Sequence, residues 1–239
     1  MTEPAPSLQR LAYLRARKRR KTAIRAAQLS LLAAFIALWE LSARMGWIDV
    51  FIVSSPSRVL ATLGSLYRSG DLWLHVGTSC FETVVGFTLG TALGTLVAVG
   101  LWWSDFAARI LDPYLVVLNA LPKIALGPIL IVWFGAGMKS IIVMGLLISL
   151  VVTIMTVLAG FNAITDEKQL LMRTLGASKL QILTMAVLPA SVPTIMSALK
   201  ISVGMSWVGV IVGEYLVSKA GLGYLIVYGG QVFNLDLVM

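Results

Sequence analysis

The chain alternates between long apolar runs and short polar segments, and this pattern predicts a bundle of membrane-spanning helices. Five runs come close to the roughly 20 residues that a helix needs to cross a bilayer. They cover approximately residues 26–47, 76–103, 114–134, 141–159 and 193–215. None shows the alternation over about ten residues that is typical of a membrane β-barrel strand. The sequence therefore predicts an all-α integral membrane protein.

Two shorter segments refine this picture. After the turn at Ser54, Ser55 and Pro56, apolar residues recur at helical spacing from Val59 to Leu66, which predicts a short helix on the membrane surface opposite the N-terminus. Near Asp236 a new apolar run begins and the chain ends at Met239. We therefore expect five complete spans and a sixth that is missing or truncated.

Composition supports membrane insertion and argues against some chemistry. The chain is 58% hydrophobic and 13% charged, whereas soluble domains are about half apolar and a quarter charged. Cys80 and His75 are the single cysteine and the single histidine. A disulfide framework is excluded, and a Cys/His metal site is disfavoured.

The net charge of +8 is concentrated near the N-terminus. Eight basic residues precede the first span: Arg10, Arg15, Arg17, Lys18, Arg19, Arg20, Lys21 and Arg25. Because the run abuts an apolar span, a cytoplasmic anchor is favoured over a nucleic-acid site, and its sequence does not resemble a cleavable signal. We expect a basic cytoplasmic tail over residues 1–25, a transmembrane domain over 26–239, and a cytoplasmic segment at 161–189.

That cytoplasmic segment has its own helical pattern. Asp166 is predicted to cap a helix that runs to Leu175, and Gly176 to end it in a left-handed conformation. Ser178 is predicted to cap a second helix, which Pro189 ends. The second helix would bury Leu180, Leu183 and Val187 and lie along the membrane surface. The corner at 175–177 would form a compact knob that docks into a soluble partner.

The stretch "RTLGASKLQILTMAVLPASVP" (residues 173–193) resembles the cytoplasmic EAA loop of bacterial ABC importer permeases. Gly176, Leu188 and Pro189 match that pattern, but Leu170, Leu171 and Met172 stand where the family has Glu-Ala-Ala. The stretches "SPSRVLATL", "LPKIALGPILIVWFGAG", "LKISVGMSWVGVIVGEYL" and "AGLGYLI" resemble the nitrate/sulfonate/taurine branch of the binding-protein-dependent (type I) permeases.

The resemblance implies a helical permease domain without an ATPase site, in the bacterial inner membrane. It further implies a homodimer, two ATPase subunits that hold ATP and Mg²⁺, and a periplasmic or lipid-anchored substrate-binding protein. No phosphate-binding G-x-x-x-x-G-K-[ST] loop occurs, and "GAGMKS" lacks its second glycine. The residues implied in ATPase coupling are Arg173, Thr174, Leu175, Gly176, Ala177, Ser178, Lys179, Leu188 and Pro189.

Polar residues within the spans are candidates for the transport pathway, because polar groups at membrane depth usually face the bundle or a water-filled cavity. They are Asn119, Ser149, Thr153, Ser202, Ser206, Trp207 and Glu214. Asn119, Thr153 and the serines could equally bond a neighbouring helix. Trp207 could be a gate or plain packing, and Glu214 could pair with a loop cation. Glu40 is expected to pair with Arg44, four residues on.

Glycines at four-residue spacing predict close helix contacts in the second span, at positions 86, 90 and 94, and in the fifth, at 209 and 213. The functional hypothesis is an ABC importer permease for a small anion or a related nutrient, such as nitrate, a sulfonate or taurine. The alternatives are a gradient-driven secondary transporter, which would need intramembrane coupling carboxylates, and an inactive membrane fragment or scaffold.

Overall fold

A computed structural model of the chain describes residues 8–239. The described part is helical, without a strand. Its α-helices are α1 (Leu8–Arg44), α2 (Val50–Val53), α3 (Pro56–Ser69), α4 (Asp71–Trp103), α5 (Asp105–Ala120), α6 (Gly127–Phe134), α7 (Met138–Asn162), α8 (Asp166–Thr174), α9 (Lys179–Ile182), α10 (Leu188–Val217), α11 (Leu222–Gln231) and α12 (Leu235–Val238). The chain divides into two compact units, one containing residues 66–232 and the other the remaining residues.

Three long helices, α4, α7 and α10, form the centre of the 66–232 unit. Each is long and apolar enough to cross a membrane. Glycines bring their backbones together, as the four-residue spacing predicted. A Cβ atom added at Gly94 of α4 would lie 2.8 Å from the Thr153 Cβ of α7, and one at Gly209 of α10 would lie 2.9 Å from the Gly145 Cα. Both distances are shorter than real Cβ contacts, so only glycine fits at these positions.

The third predicted span, residues 114–134, is not one straight helix. It consists of α5, a 3₁₀ turn at Lys123–Leu126 and α6, and the two helical arms meet at 88°. Pro122 explains the break, because the residue before a proline is pushed out of the helical region, and Leu121 is extended at ψ 137°. With this bent pair counted as one span, the described residues contain five candidate spans, and without it four.

The other unit begins with α1, which runs without interruption from the basic segment through the first apolar run. The side chains of Arg10 and Arg15 lie outside the part of the chain that the structure describes. Arg44 donates to Glu40 at 2.8 Å, which confirms the predicted i,i+4 pair. The short helix predicted after Pro56 is confirmed as α3, and its place on the membrane surface stays a prediction.

Asp236 anchors α12 within this unit. Its carboxylate accepts a hydrogen bond of 2.7 Å from the Ser54 hydroxyl and two from the Arg58 guanidinium, at 2.7 and 3.0 Å. The Ser54 hydrogen bond and the Arg58 charge hold the pKa of the Asp236 carboxyl below its usual value.

The helix seam makes a testable prediction about stability. Gly209→Ala should lower the unfolding free energy by about 1–3 kcal/mol, because α10 must move away from the α7 backbone. In a chain of this size the melting temperature in detergent would fall by roughly 2–4 °C per kcal/mol.

Gly204→Ala is the matched control for Gly209→Ala. Gly204 lies in the same helix, but a Cβ there would meet no atom within 4 Å. The melting temperature of the Gly204→Ala variant should stay unchanged or rise slightly, because alanine favours a helix more than glycine does. Equal effects of the two substitutions would contradict the close packing at Gly209.

Candidate functional site

The corner between α8 and α9 is built from two interlocking caps. Gly176 has φ +83°, as the left-handed helix stop predicted. Its N–H donates to the Arg173 carbonyl at 2.9 Å, and the Ala177 N–H donates to the Met172 carbonyl at 3.0 Å. These two hydrogen bonds define a Schellman motif, which closes the last turn of α8.

The next residue starts the second helix. The Ser178 hydroxyl accepts from the Gln181 N–H at 3.3 Å, and the Ser178 N–H donates to the Gln181 side-chain oxygen at 2.7 Å. This reciprocal pair is a capping box, so the predicted role of Ser178 is confirmed. A helix stop and a helix start within three residues make the corner a stiff connection.

One side of the corner is anchored in the core, and the other side is open. Ala177 packs against a buried apolar cluster that contains Phe161, Leu183 and Val187. Leu175, at the tip, leaves 78% of its surface exposed. An apolar residue so exposed on a stiff, anchored turn is available for contact with another protein.

Three local expectations about this segment were wrong. Thr165, not Asp166, is the N-cap of α8. Leu180 is 58% exposed, and Ile182 is buried in its place. Pro189 does not end the second helix, because a π-helical turn at Leu183–Val187 leads directly into α10. Pro189 has no backbone N–H to donate, and the wider π turn just before it changes the hydrogen-bond pattern at that point. One helical path of 39 residues, Lys179–Val217, therefore continues into the span.

The remaining coupling candidates lie around this corner. The Thr174 hydroxyl donates to the Leu171 carbonyl at 2.7 Å, within α8. The Lys179 ammonium donates to the Trp103 carbonyl at 2.5 Å, at the end of α4. Leu188 and Pro189 are the first two residues of α10. The segment is therefore tied to two spans, α4 and α10.

A second polar site surrounds the start of α11. Three successive backbone N–H groups there donate to side chains of α4 and α10. Gly221 donates to His75 Nδ1 at 3.0 Å, Leu222 to Ser79 Oγ at 2.8 Å, and Gly223 to Glu214 Oε2 at 2.6 Å. Ser79 in turn donates to Glu214 Oε1 at 2.6 Å. The first N–H groups of a helix lack internal partners, so these side chains cap α11.

This cluster gives roles to His75 and Glu214 that sequence reasoning missed. Glu214 is 1% exposed and holds α11, and no cation pairs with it among the described residues. His75 is buried and stacks on Tyr224, with ring centroids 5.7 Å apart. The glycine-rich segment "AGLGYLI" was the available signal of such a site, because the N–H groups at the start of a helix need acceptors and glycine has no side chain to supply one.

Glu82 is a buried carboxyl with one unpaired oxygen. It is 1% exposed, and its Oε2 atom has no partner among the described residues. It interacts with the Glu214 carboxyl, a group of the same charge type. Such an arrangement opposes stability, because a buried polar group costs free energy unless it is hydrogen-bonded.

Most of the pathway candidates lie inside the helix seam. Thr153 and Ser202 share a hydrogen bond of 2.8 Å between α7 and α10, and the Ser206 hydroxyl donates to the Thr83 carbonyl at 3.4 Å. Ser149 is fully buried and donates within its own helix. Asn119 is exposed on α5, and Trp207 is half-buried on α10. The structure does not bring these residues together around one cavity.

An open groove of about 540 Å³ lies instead between α4 and α10. Its polar lining consists of Thr88, Thr91 and Thr95, which follow one another along α4. The buried Thr91 hydroxyl has no partner among the described residues. Sequence reasoning missed these threonines, although their spacing of three and four residues along one helix was an available signal.

Residues 90–239 match the family model described as the binding-protein-dependent transport system inner membrane component. The match covers more than half of the chain. The chain belongs to this family. It is thus a permease subunit of an ABC importer, which decides against the gradient-driven secondary transporter.

Relatives and a solved structure agree. A probable ABC transporter permease protein from Haemophilus influenzae is 32% identical, covering 88% of this chain and 85% of the relative. An aliphatic sulfonates transport permease protein from Escherichia coli is 28% identical over 92% of this chain and 84% of its own length. The inward-facing MetNI methionine ABC transporter matches the fold with a TM-score of 0.59 and 21% identity, over 69% of this chain and 85% of that chain.

The unsatisfied carboxyl of Glu82 makes a prediction. Glu82→Gln should raise the melting temperature, because the amide has the same shape and can donate a hydrogen bond to the neighbouring Glu214. A hydrogen bond to a charged group contributes about 1.5–3 kcal/mol. Thermal unfolding in detergent measures the change.

The matched comparison is Glu214→Gln. It should lower the melting temperature, because Glu214 already accepts from Ser79 and Gly223. A lower melting temperature for Glu82→Gln would contradict the prediction, because it would mean that the Glu82 carboxyl makes a stabilising hydrogen bond of its own.

Proposed function

We propose that the corner of residues 173–179, with Leu188 and Pro189 behind it, transmits the motion of a separate ATPase subunit to the spans. Two such ATPases would bind ATP and Mg²⁺, one below each chain of a permease homodimer. A periplasmic or lipid-anchored binding protein would deliver the substrate from outside. The chain would lie in the bacterial inner membrane, with the basic N-terminus and the 161–189 segment on the cytoplasmic side.

The single observation that supports this proposal is the construction of the corner. Its tip leaves Leu175 78% exposed, while Ala177 packs against the buried cluster. The helix that leaves the corner continues into α10 without a hinge loop. A push on the tip would therefore move a span directly, as a switch between two access states requires.

Leu175→Glu tests the coupling. The exposed side chain has few contacts within the chain, so the melting temperature should stay unchanged. Substrate uptake by the assembled transporter in proteoliposomes should fall by at least about tenfold, because a charge would oppose an apolar docking contact. ATP hydrolysis measured in parallel should no longer respond to the binding protein.

Leu175→Met is the matched control and should retain uptake. Gly176→Pro should also uncouple uptake, because proline cannot adopt a positive φ and would remove the N–H that donates to Arg173. Normal uptake by Leu175→Glu would refute the docking role of the tip.

We further infer that the substrate is a small oxyanion or sulfonate. Relatives are named for aliphatic sulfonates, taurine and nitrate. The surface of the groove between α4 and α10 is mainly apolar, because the Thr88 hydroxyl donates to the Val84 carbonyl at 2.6 Å and the Thr91 hydroxyl is buried. An anion would reach these hydroxyl groups, which can donate hydrogen bonds, only once the groove opens during transport. We propose this groove as part of the pathway, alongside Asn119 and Trp207.

Cysteine accessibility tests the groove. In a Cys80→Ser background, needed because Cys80 is exposed, Thr91→Cys should react with a charged, membrane-impermeant maleimide. Taurine or nitrate, supplied with the binding protein and ATP, should change the labelling rate. The control is Leu93→Cys, which is exposed on α4 but does not line the groove; lipid should shield it. Equal labelling at both positions would rule out the groove as a pathway.

A further inference from the structure

A polar cavity of about 280 Å³ lies where two spans end, behind the corner. The sides of the cavity come from four parts of the 66–232 unit: the end of α4, the start of α5, the end of α7, and the α8–α9 segment. Its polar and aromatic lining residues are Trp102, Asp105, Asn162, Gln169, Arg173 and Lys179. The cavity therefore sits at the level where the apolar spans meet polar surroundings.

Lys179 is held in place at this cavity. Its ammonium donates to the Trp103 carbonyl and lies 5.8 and 5.6 Å from the ring centroids of Trp102 and Trp103. An ammonium has three donors, so N–H groups remain for another acceptor. The cation–π contacts keep the charge in a fixed position.

Arg173 supplies a second positive charge. Its guanidinium makes no ion pair and no side-chain hydrogen bond among the described residues. The one acidic lining residue, Asp105, accepts from Arg109 at 2.9 Å. Arg173 and Lys179 outnumber Asp105, so the cavity has an excess of positive charge and an unused planar donor group.

We propose that this cavity binds the phosphate group of an anionic phospholipid. The planar fork of an arginine matches phosphate oxygens in a bidentate manner, and the Lys179 ammonium adds a fixed point charge. Tryptophans at the end of a span mark the membrane–water interface. Basic pockets between spans at that level suit lipid headgroups.

The lipid is favoured over free phosphate by the place of the cavity. It lies at the ends of α4 and α7, within reach of the headgroup layer. Inorganic phosphate presents the same oxygens but has no acyl chains to hold it at the spans. A bound headgroup would bridge the α8–α9 segment and the span ends, so lipid composition would affect how the corner moves.

Lipid retention tests the proposal. The full-length chain is placed in nanodiscs of phosphatidylcholine with a fraction of phosphatidylglycerol, and native mass spectrometry counts the lipids that stay bound after release. We expect one tightly retained phosphatidylglycerol per chain and no comparable phosphatidylcholine. Arg173→Gln should weaken retention about tenfold, the effect of losing one charge-assisted contact.

Two variants make the result specific. Asp105→Asn should strengthen retention, because it removes the one carboxylate that faces the cavity. Lys168→Gln is the matched control: it removes a positive charge from the same helix, α8, at a residue that does not line the cavity. Its retention should equal that of the wild type.

A second arm adds inorganic phosphate to the chain in neutral detergent and follows thermal stability. Stabilisation by short-chain phosphatidylglycerol alone identifies a lipid site, and equal stabilisation by phosphate identifies a free-anion site of the same chemistry. Retention unaffected by Arg173→Gln and Asp105→Asn, or no binding of either probe, overturns the proposal. Because the readout is binding rather than transport, this outcome is independent of whether the corner couples to an ATPase.

Discussion

The close approach of α4, α7 and α10 is the constraint on which the rest of the structure depends. Lipid offers no hydrophobic force that drives apolar helices together, so contact must come from packing and from polar groups shared between spans. Gly145 and Gly209 remove side chains where two backbones meet, and Thr153 and Ser202 then come within hydrogen-bonding distance. The buried serines and threonine therefore stabilise the helix seam within one chain.

The same three helices determine the position of the parts at either end. At one end, His75, Ser79 and Glu214 form a set of acceptors only because α4 and α10 lie side by side, and this set fixes the start of α11. At the other end, the cluster around Phe161 and Val187 anchors Ala177. A stiff corner is useful for coupling only if it is attached to a span, and the π turn provides that attachment.

The turn between α8 and α9 could be predicted from the types of the residues that form it. Gly176, at positive φ, and Ser178, as the N-cap, act within a few residues, so their roles follow from the residue types. The continuity of the helix through Pro189 could not be predicted, because a proline alone indicates a helix end and the compensating π turn has no sequence signature. Pro122 does break a helix, as a proline predicts, but the uninterrupted apolar run around it indicated a single span.

The sequence by itself determined the membrane class, the approximate positions of four spans, the glycine seam, the turn at Gly176 and Ser178, and the family resemblance, because each depends on composition or short-range spacing. Only the tertiary structure decided which polar groups face each other. It placed Glu214 on an N–H group at the start of α11, left the Oε2 atom of Glu82 unpaired, and brought Arg173 and Lys179 to one cavity with Trp102. Trp102 is far from Arg173 along the chain, as Ser79 is from Glu214, and these meetings depend on how the helices pack.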